Sequence, residues 1–186
     1  MTRQQDTARL NAAIFAGCMV AFLGFGFAAT FGVFLAPMSA ELGWGREVFS
    51  LSVAVQALAW GFAQPVAGAV ADRYGTARVL AFGAVCAGAG FALRGVITDP
   101  TGFVLTGVLV GAGTGAASFP IVIGALGKIV TPDRRSFILG LGTAAASLGM
   151  FVSAPTATFM IGGVGWQPAL LLIGASFALI LPFLVF

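Results

Sequence analysis

The sequence predicts an all-α polytopic membrane protein with six transmembrane helices, on the grounds of its composition and its apolar stretches. Hydrophobic residues make up 59% of the 186-residue chain and charged residues only 8%, whereas ordinary soluble domains carry about 25% charged residues. So few charges cannot cover the surface of a soluble globule. A helix needs about 20 apolar residues to cross the hydrocarbon core of a bilayer. Six stretches provide this length, at residues 10–36, 48–71, 77–97, 102–129, 137–161 and 169–186.

The first stretch is interpreted as a transmembrane helix that stays in the protein. Arg3 and Arg9 precede it, as basic residues precede the apolar part of a signal peptide. That part is only about 7–15 residues long in a signal peptide, and the stretch here is about twice as long. All six stretches are also too uniformly apolar for strands of a membrane barrel, which alternate over about 10 residues.

Short segments join the six predicted spans, so consecutive spans are expected to run antiparallel. Turn signals occur at residues 43–45, 99–100 and 162–166, and Pro132 separates spans 4 and 5. Trp44 and Trp166 are expected in the aromatic belt at the membrane surface. Arg94 and Lys128 lie near the ends of their spans, where their long side chains are expected to reach the interface.

The distribution of basic residues predicts the orientation. Only two of the nine basic residues, Arg46 and Arg94, lie at the end of the bundle where span 1 turns into span 2 and span 3 into span 4. The others precede span 1 or lie in or beside the turns from span 2 to span 3 and from span 4 to span 5: Arg3, Arg9, Arg73, Arg78, Lys128, Arg134 and Arg135. Because basic residues stay on the cytoplasmic side, we expect a multi-pass protein of the cell's inner (plasma) membrane with its N-terminus in the cytoplasm.

Small residues recur at helical spacing in three spans. They are Gly17, Ala21, Gly24, Ala28 and Gly32 in span 1, Gly107, Gly111 and Gly115 in span 4, and Gly142, Ala146, Gly149 and Ser153 in span 5. Such stripes let helix backbones approach closely in lipid. Tight bundle packing is one interpretation, and a surface on which helices slide during transport is the other.

Polar side chains inside the spans are candidates for lining a cavity. An unpaired amide in hydrocarbon costs roughly 2–7 kcal/mol, so Gln56 and Gln64 are expected to face protein or water, as interhelical contacts or as cavity lining. Five hydroxyl residues could likewise line a cavity or make interhelical contacts, or they could bond to their own helix backbone. They are Thr30, Thr114, Ser118, Thr143 and Ser147. Pro65, Pro120 and Pro155 are each expected to interrupt a helix.

Two loops carry a family resemblance. After span 2 the chain has a glycine, Asp-Arg four residues later, a turn glycine and a basic end: Gly68, Asp72, Arg73, Gly75 and Arg78. Before span 5 it has Arg134 and Arg135, followed by Gly140. These loops resemble the signature loop and the companion loop of the major facilitator superfamily. Residues 31–34 and 43–46 are similar to the first two helices of bacterial monocarboxylate and oxalate–formate porters.

The resemblance implies a fold and a function. Residues 1–186 would be the N-terminal six-helix half of a twelve-helix transporter, made of two inverted three-helix repeats, and the C-terminal half is absent from this chain. Spans 1 and 4 would line the central path, spans 2 and 5 would meet the other half, and spans 3 and 6 would face lipid. Asp72 is then either part of a solvated loop whose charges set the topology, or a gate latch with Arg78, Arg134 and Arg135 as its partners, and Gly75 would form the turn.

By the same resemblance the substrate is a small organic anion, similar to a monocarboxylate, moved by symport with a proton or antiport against another anion. The antiporter pattern of drug exporters is not matched in spans 4 and 5, which disfavours drug export. A carrier for another small solute or a drug, and a half-size carrier that works as a homodimer, remain alternatives.

Composition argues against an enzyme. The chain has no histidine, which excludes His-activated serine chemistry of a rhomboid-type intramembrane protease and most zinc sites. Cys18 and Cys86 form no CxxC pair. No cofactor, metal or nucleic-acid partner is therefore expected.

Overall fold

The computed structural model describes residues 3–126 and 132–184. Within them the chain is helical, without β-strands. The α-helices are α1 Arg3–Thr30, α2 Leu35–Leu42, α3 Arg46–Tyr74, α4 Thr76–Arg94, α5 Pro100–Ala116, α6 Phe119–Leu126, α7 Pro132–Val164 and α8 Trp166–Ser176. Two 3₁₀ segments, Phe31–Phe34 and Phe177–Leu184, continue α1 and α8.

These elements form the six predicted spans. Span 1 is α1, its 3₁₀ segment and α2; span 2 is α3; span 3 is α4; span 4 is α5 with α6; span 5 is α7; span 6 is α8 with its 3₁₀ segment. Five are long and apolar enough to cross a membrane, and span 6 is a shorter apolar helix over Trp166–Pro182. The predicted all-α membrane fold is thus confirmed.

Glycine makes the tight turns between helices. Gly43, Gly75 and Gly165 have φ of 65°, 98° and 86°, a region that side chains disfavour and glycine adopts freely. The turn role predicted for Gly75 is confirmed. Gly43 and Gly165 lie at one end of the bundle, called here the Trp44 end, and Gly75 lies at the other, called the Gly75 end.

Contacts at the Trp44 end correct the prediction for one tryptophan. The side chain of Trp166 is buried, and its Nε1 donates a 2.6 Å hydrogen bond to Oε2 of Glu41. The ring of Trp44 packs on Phe103, with centroids 5.1 Å apart. Trp166 therefore ties span 6 to span 1 inside the bundle instead of standing in an aromatic belt facing lipid.

Helix pairing follows an inverted internal symmetry. The most extensive contacts join spans 2 and 4 and spans 1 and 5, followed by spans 3 and 4 and spans 3 and 6. Exchanging spans 1–3 with spans 4–6 maps the 2–4 pair onto the 5–1 pair and the 3–6 pair onto itself. Spans 1 and 4 begin at opposite ends of the bundle, so the two triplets are inverted, as in the repeats of such transporters.

The breaks in spans 1 and 4 obey the same symmetry. Span 1 changes to a 3₁₀ segment at Phe31, towards the Trp44 end, and span 4 breaks between Ala116 and Phe119, towards the Gly75 end. Pro120 follows that break directly. The expectation that Pro65 and Pro155 interrupt their helices is wrong, because α3 and α7 continue through them.

Close packing accounts for the glycine stripe of span 4. A Cβ atom added to Gly107 would lie 2.6 Å from the Ser52 carbonyl oxygen, and one added to Gly115 would lie 2.9 Å from that of Trp60. At Gly111 it would collide with the Gln56 carbonyl oxygen. Gly149 of span 5 packs in the same way against the Phe22 backbone of span 1, so both major pairs depend on backbone approach.

Candidate functional site: an apolar cavity beside a buried arginine

Residues of spans 1, 2 and 4 line a partly open cavity of about 230 Å³. Its lining residues are Gly24, Phe25, Ala28, Ala29, Val53, Gln56, Ala57, Trp60, Thr114 and Ala117. Phe25 and Trp60 meet edge to face in its wall, with ring centroids 5.5 Å apart. Small residues therefore open the space and two aromatic rings shape it.

Two polar residues line this cavity, Gln56 and Thr114. The Thr114 hydroxyl donates to the Val110 carbonyl oxygen of its own helix at 2.8 Å, which leaves its lone pairs as acceptors. Gln56 is 9% exposed, and its amide oxygen accepts a hydrogen bond from a buried residue.

That buried residue is Arg94, and its position corrects the sequence prediction. We expected this side chain to reach the membrane interface, yet it is 0% exposed. Its guanidinium donates to Oε1 of Gln56 at 2.9 Å, to Oγ of Ser52 at 3.0 Å and to Oγ1 of Thr106 at 3.1 Å. Arg94, the last residue of α4, therefore links span 3 to spans 2 and 4 by hydrogen bonds.

The hydroxyl groups of Ser52 and Thr106, which accept from Arg94, both donate to the same backbone carbonyl oxygen. Thr106 donates to the Phe103 carbonyl oxygen at 2.6 Å, and Ser52 donates to the same oxygen at 3.4 Å. Because each hydroxyl accepts from Arg94 while it donates to this carbonyl, all three groups are oriented together. Every partner in the network is neutral.

Aromatic faces surround the rest of the guanidinium. Its Cζ lies 4.1 Å from the ring centroid of Phe31, 5.6 Å from that of Phe103 and 5.9 Å from that of Phe91. Among the described residues, no carboxylate lies within ion-pair distance of Arg94. A buried charge is costly unless it is well bonded; here hydrogen bonds, ring faces and the negative C-terminal end of α4 stabilise it.

Arg94 also fixes the orientation of the Gln56 amide. A guanidinium has only donors, so the amide oxygen must turn towards it and the amide NH₂ must turn away. Gln56 therefore both lines the cavity and accepts a hydrogen bond from a buried cation.

A second cavity, of about 410 Å³, lies near the Gly75 end. Four predicted site residues line it: Gln64, Gly68, Asp72 and Ser118. Ser118 is 2% exposed, and its Oγ has no hydrogen-bond partner. Asp72 is exposed. The structure thus groups the signature loop with the break in span 4.

The other predicted site residues lie apart from both cavities. Thr30 is buried and bonds to the Gly26 carbonyl oxygen of its own helix. Thr143 and Ser147 are exposed on α7, and Thr143 bonds to the Leu139 carbonyl oxygen. The loop residues Arg73, Gly75, Arg78, Arg134 and Arg135 are exposed near their helix ends. The prediction for Lys128 lies outside the described residues.

Sequence reasoning missed Arg94, Ser52 and Thr106 as parts of the site. One signal was present, because Ser52 and Gln56 are four residues apart and therefore share a helix face. The partner of that polar pair could not be read from spacing, since Arg94 is 38 residues further along the chain.

The comparisons with known proteins agree with this architecture. The model of the Major Facilitator Superfamily matches residues 15–186. The "Putative niacin/nicotinamide transporter NiaP" of Bacillus subtilis is 27% identical over 71% of this chain and 31% of its own length. Monocarboxylate transporter 13 of Bos taurus is 29% identical over 82% of this chain and 36% of its own length. The chain thus spans about a third of these relatives.

Among solved structures, a mutant of the peptide transporter POT in complex with alafosfalin superposes on all of this chain, with a TM-score of 0.77 and 20% identity, over 41% of that protein. At this identity the likeness concerns the fold. The family match covers nearly the whole chain, and the helices have the length and composition of membrane spans. This multi-pass membrane protein therefore belongs to the Major Facilitator Superfamily.

Proposed function

We propose that the protein is a secondary active transporter that moves a small organic anion, similar to a monocarboxylate, by alternating access and in exchange or symport with an anion or a proton. The observation that carries this proposal is the Gln56 amide, which lines the cavity while Arg94 holds its oxygen. An acceptor such as a carboxylate matches the donor that this amide presents.

The remaining cavity walls suit the apolar part of such a substrate. Phe25 and Trp60 supply ring faces and edges, and alanines supply a smooth surface. The positive charge of Arg94 lies one hydrogen bond behind Gln56, in a region of low dielectric constant, where it favours an anion in the cavity. Mostly apolar lining with few oriented polar groups is the usual form of a small-molecule site.

The names of the relatives fit this chemistry. One is named for niacin or nicotinamide and another for monocarboxylates. Niacin is a carboxylic acid, so a carboxylate is a substrate class that both names include. The alternative of a neutral solute or a drug has no comparable support from the arrangement of Arg94 and Gln56 beside the cavity.

The cavity is incomplete in this chain alone. Its 230 Å³ falls below the roughly 300–1,000 Å³ of typical ligand pockets. Gly61 and Gly68 of α3, seven residues apart on one helix face, have no atom within 4 Å of an added Cβ, and neither has Gly140 of α7. We infer that a C-terminal six-helix half docks on these open faces of spans 2 and 5 and closes the cavity. A second copy of this chain, as in a half-size carrier, is the alternative occupant.

The signature loop would then control access. Asp72 and Gly68 line the cavity at the Gly75 end, beside the open face of α3. A contact between Asp72 and a cationic group that exists in only one access state would bias the equilibrium between states. Arg73, Arg78, Arg134 and Arg135 are available near this end, which we place in the cytoplasm together with the N-terminus.

Proteoliposomes containing the protein as the cell makes it test the function. We expect saturable uptake of labelled lactate when a proton gradient is imposed or when formate or oxalate is preloaded. Uptake of lactate that is neither saturable nor gradient-dependent, together with coupled uptake of a neutral solute, would contradict the proposal. Gln56→Leu should reduce this uptake. Thr98→Ser, at an exposed position, is the control and should leave it unchanged.

A further inference from the structure

We propose that an anionic phospholipid binds in a groove between α3 and α4, with its acyl chain along the groove and its phosphate on Arg78. This groove is separate from the transport cavity. It has a volume of about 350 Å³. Its lining residues are Ala63, Val66, Ala67, Val70, Tyr74, Arg78, Val79, Phe82, Ala112 and Ala116.

The groove exists because α3 and α4 both pack mainly on α5 and little on each other. Ala112 and Ala116 of α5 form its floor, and their small side chains leave the space between the two helices open. The walls are accessible from outside, since Val66 is 63% exposed and Phe82 is 68% exposed.

Helix geometry places the groove on the side of the bundle away from the transport cavity. Ala112 lines the groove and Thr114 lines the transport cavity. Two residues correspond to about 200° around an α-helix, so these side chains lie on opposite faces of α5. Leu105 and Val108, on the groove side of α5, are exposed large apolar residues, which suits a surface that faces lipid.

The length of the groove matches one leaflet of a bilayer. From Ala63 to Tyr74, α3 advances eleven residues, or about 16 Å at ~1.5 Å per residue. Half of a hydrocarbon core about 30 Å thick is about 15 Å. An acyl chain lying along the groove would therefore reach the bilayer midplane near Ala63 and its headgroup region near Tyr74.

Charge at that headgroup end is positive. Arg78 lines the groove, and Arg73 is stacked on the neighbouring Tyr74 ring, with its Cζ 5.5 Å from the centroid. The nearest acid in sequence, Asp72, lines the other cavity at this end. Basic pockets between helices at a membrane surface are typical binding sites for anionic lipid headgroups.

Native mass spectrometry of the purified protein tests the site, using phosphatidylglycerol and phosphatidylcholine with the same acyl chains as probes. We expect phosphatidylglycerol to be retained preferentially. Arg78→Gln should weaken its retention about fivefold, the effect of losing about 1 kcal/mol of attraction to one basic residue. Arg46→Gln, which removes an exposed arginine at the Trp44 end, should leave retention unchanged.

Location is tested with phosphatidylglycerol that carries a photoreactive group in its acyl chain. Cross-links are expected in residues 63–82, and Val66→Trp, which fills the groove, should remove them. Leu105→Trp, at an exposed apolar position outside the groove lining, should not. Equal retention of the two lipids, equal effects of Arg78→Gln and Arg46→Gln, or cross-links that persist in Val66→Trp would each overturn the proposal.

Discussion

Nη1 of Arg94 and Oε1 of Gln56 are 2.9 Å apart, and this hydrogen bond joins the end of span 3 to the cavity wall of span 2. The guanidinium has only donors, so it fixes the amide with its oxygen towards Arg94. Arg94, which does not line the cavity, thereby orients a residue that does.

The first prediction concerns the Gln56 side chain. Gln56→Leu keeps a similar volume but removes the donor, so we expect the KM for an anionic substrate to rise about tenfold, the effect of losing a ~1.4 kcal/mol interaction with a charged group. Gln56→Glu should reduce transport further, because its carboxylate pairs with Arg94 and offers no donor to the cavity. Initial rates of uptake at varied substrate concentration measure both effects. Unchanged KM in both variants would contradict the assignment.

The second prediction concerns packing between spans 2 and 4. A Cβ at position 111 would collide with the Gln56 carbonyl oxygen, so Gly111→Ala should force α3 and α5 apart and cost about 1–3 kcal/mol of stability. Gly162→Ala is the control, since this residue is exposed near the end of α7 and nothing lies within 4 Å of an added Cβ there. Thermal unfolding in detergent should show a lower midpoint for Gly111→Ala alone.

The glycines of span 4 and of the turn after span 2 show how far the sequence predicts the structure. The stripe Gly107, Gly111 and Gly115 repeats every four residues, so its close contact with a neighbouring helix follows from local spacing. Gly75 likewise reveals its turn because few other residues adopt its backbone angles.

The burial of Arg94 could not be predicted in this way. Hydropathy places it at the end of a span, where arginine usually extends to the interface. Its actual environment is assembled by distant parts of the chain, since Phe31 comes from span 1 and Thr106 from span 4. The burial of Trp166 against Glu41 is non-local in the same sense.

The third prediction concerns orientation. In a variant with Cys18 and Cys86 replaced by alanine, single cysteines at Tyr74 or Asp133 should be protected from a membrane-impermeant thiol reagent added to intact cells. A cysteine at Thr98, at the opposite end of the bundle, should be labelled. All three positions are exposed, so differences in labelling report the side of the membrane. Labelling of the cysteines at positions 74 and 133 from outside would contradict the predicted orientation.

The fourth prediction concerns the latch. If Asp72 stabilises an outward-open state, Asp72→Asn should shift cysteine accessibility towards the inside and slow transport several-fold. Expression should be nearly unchanged, because the side chain is exposed at the end of α3. Asp133→Asn, at another exposed acid, is the comparison. Wild-type kinetics and accessibility in Asp72→Asn would leave this residue as part of a solvated loop.

The fifth prediction is that residues 1–186 alone do not transport. Polar side chains on spans 2 and 5, such as Gln64 and Ser147, would meet lipid where a partner is expected, at a cost for each group. The reconstituted segment should insert and self-associate, and it should show no saturable uptake of lactate, formate or oxalate. Gradient-driven saturable uptake by this segment, with a cross-linked mass of two copies, would establish the homodimeric half-size carrier.

The most direct test of the central claim is the ratio of nicotinate to nicotinamide uptake, because these molecules share a ring and differ in charge. The protein as the cell makes it is reconstituted into liposomes for this measurement. We expect its kcat/KM for nicotinate, the anion of niacin, to exceed that for nicotinamide at least tenfold. In Arg94→Gln, which neutralises the buried charge and frees the Gln56 amide to rotate, the ratio should fall towards one. A ratio that favours nicotinamide, or one that Arg94→Gln leaves unchanged, would contradict selection of an anion by the Arg94–Gln56 pair.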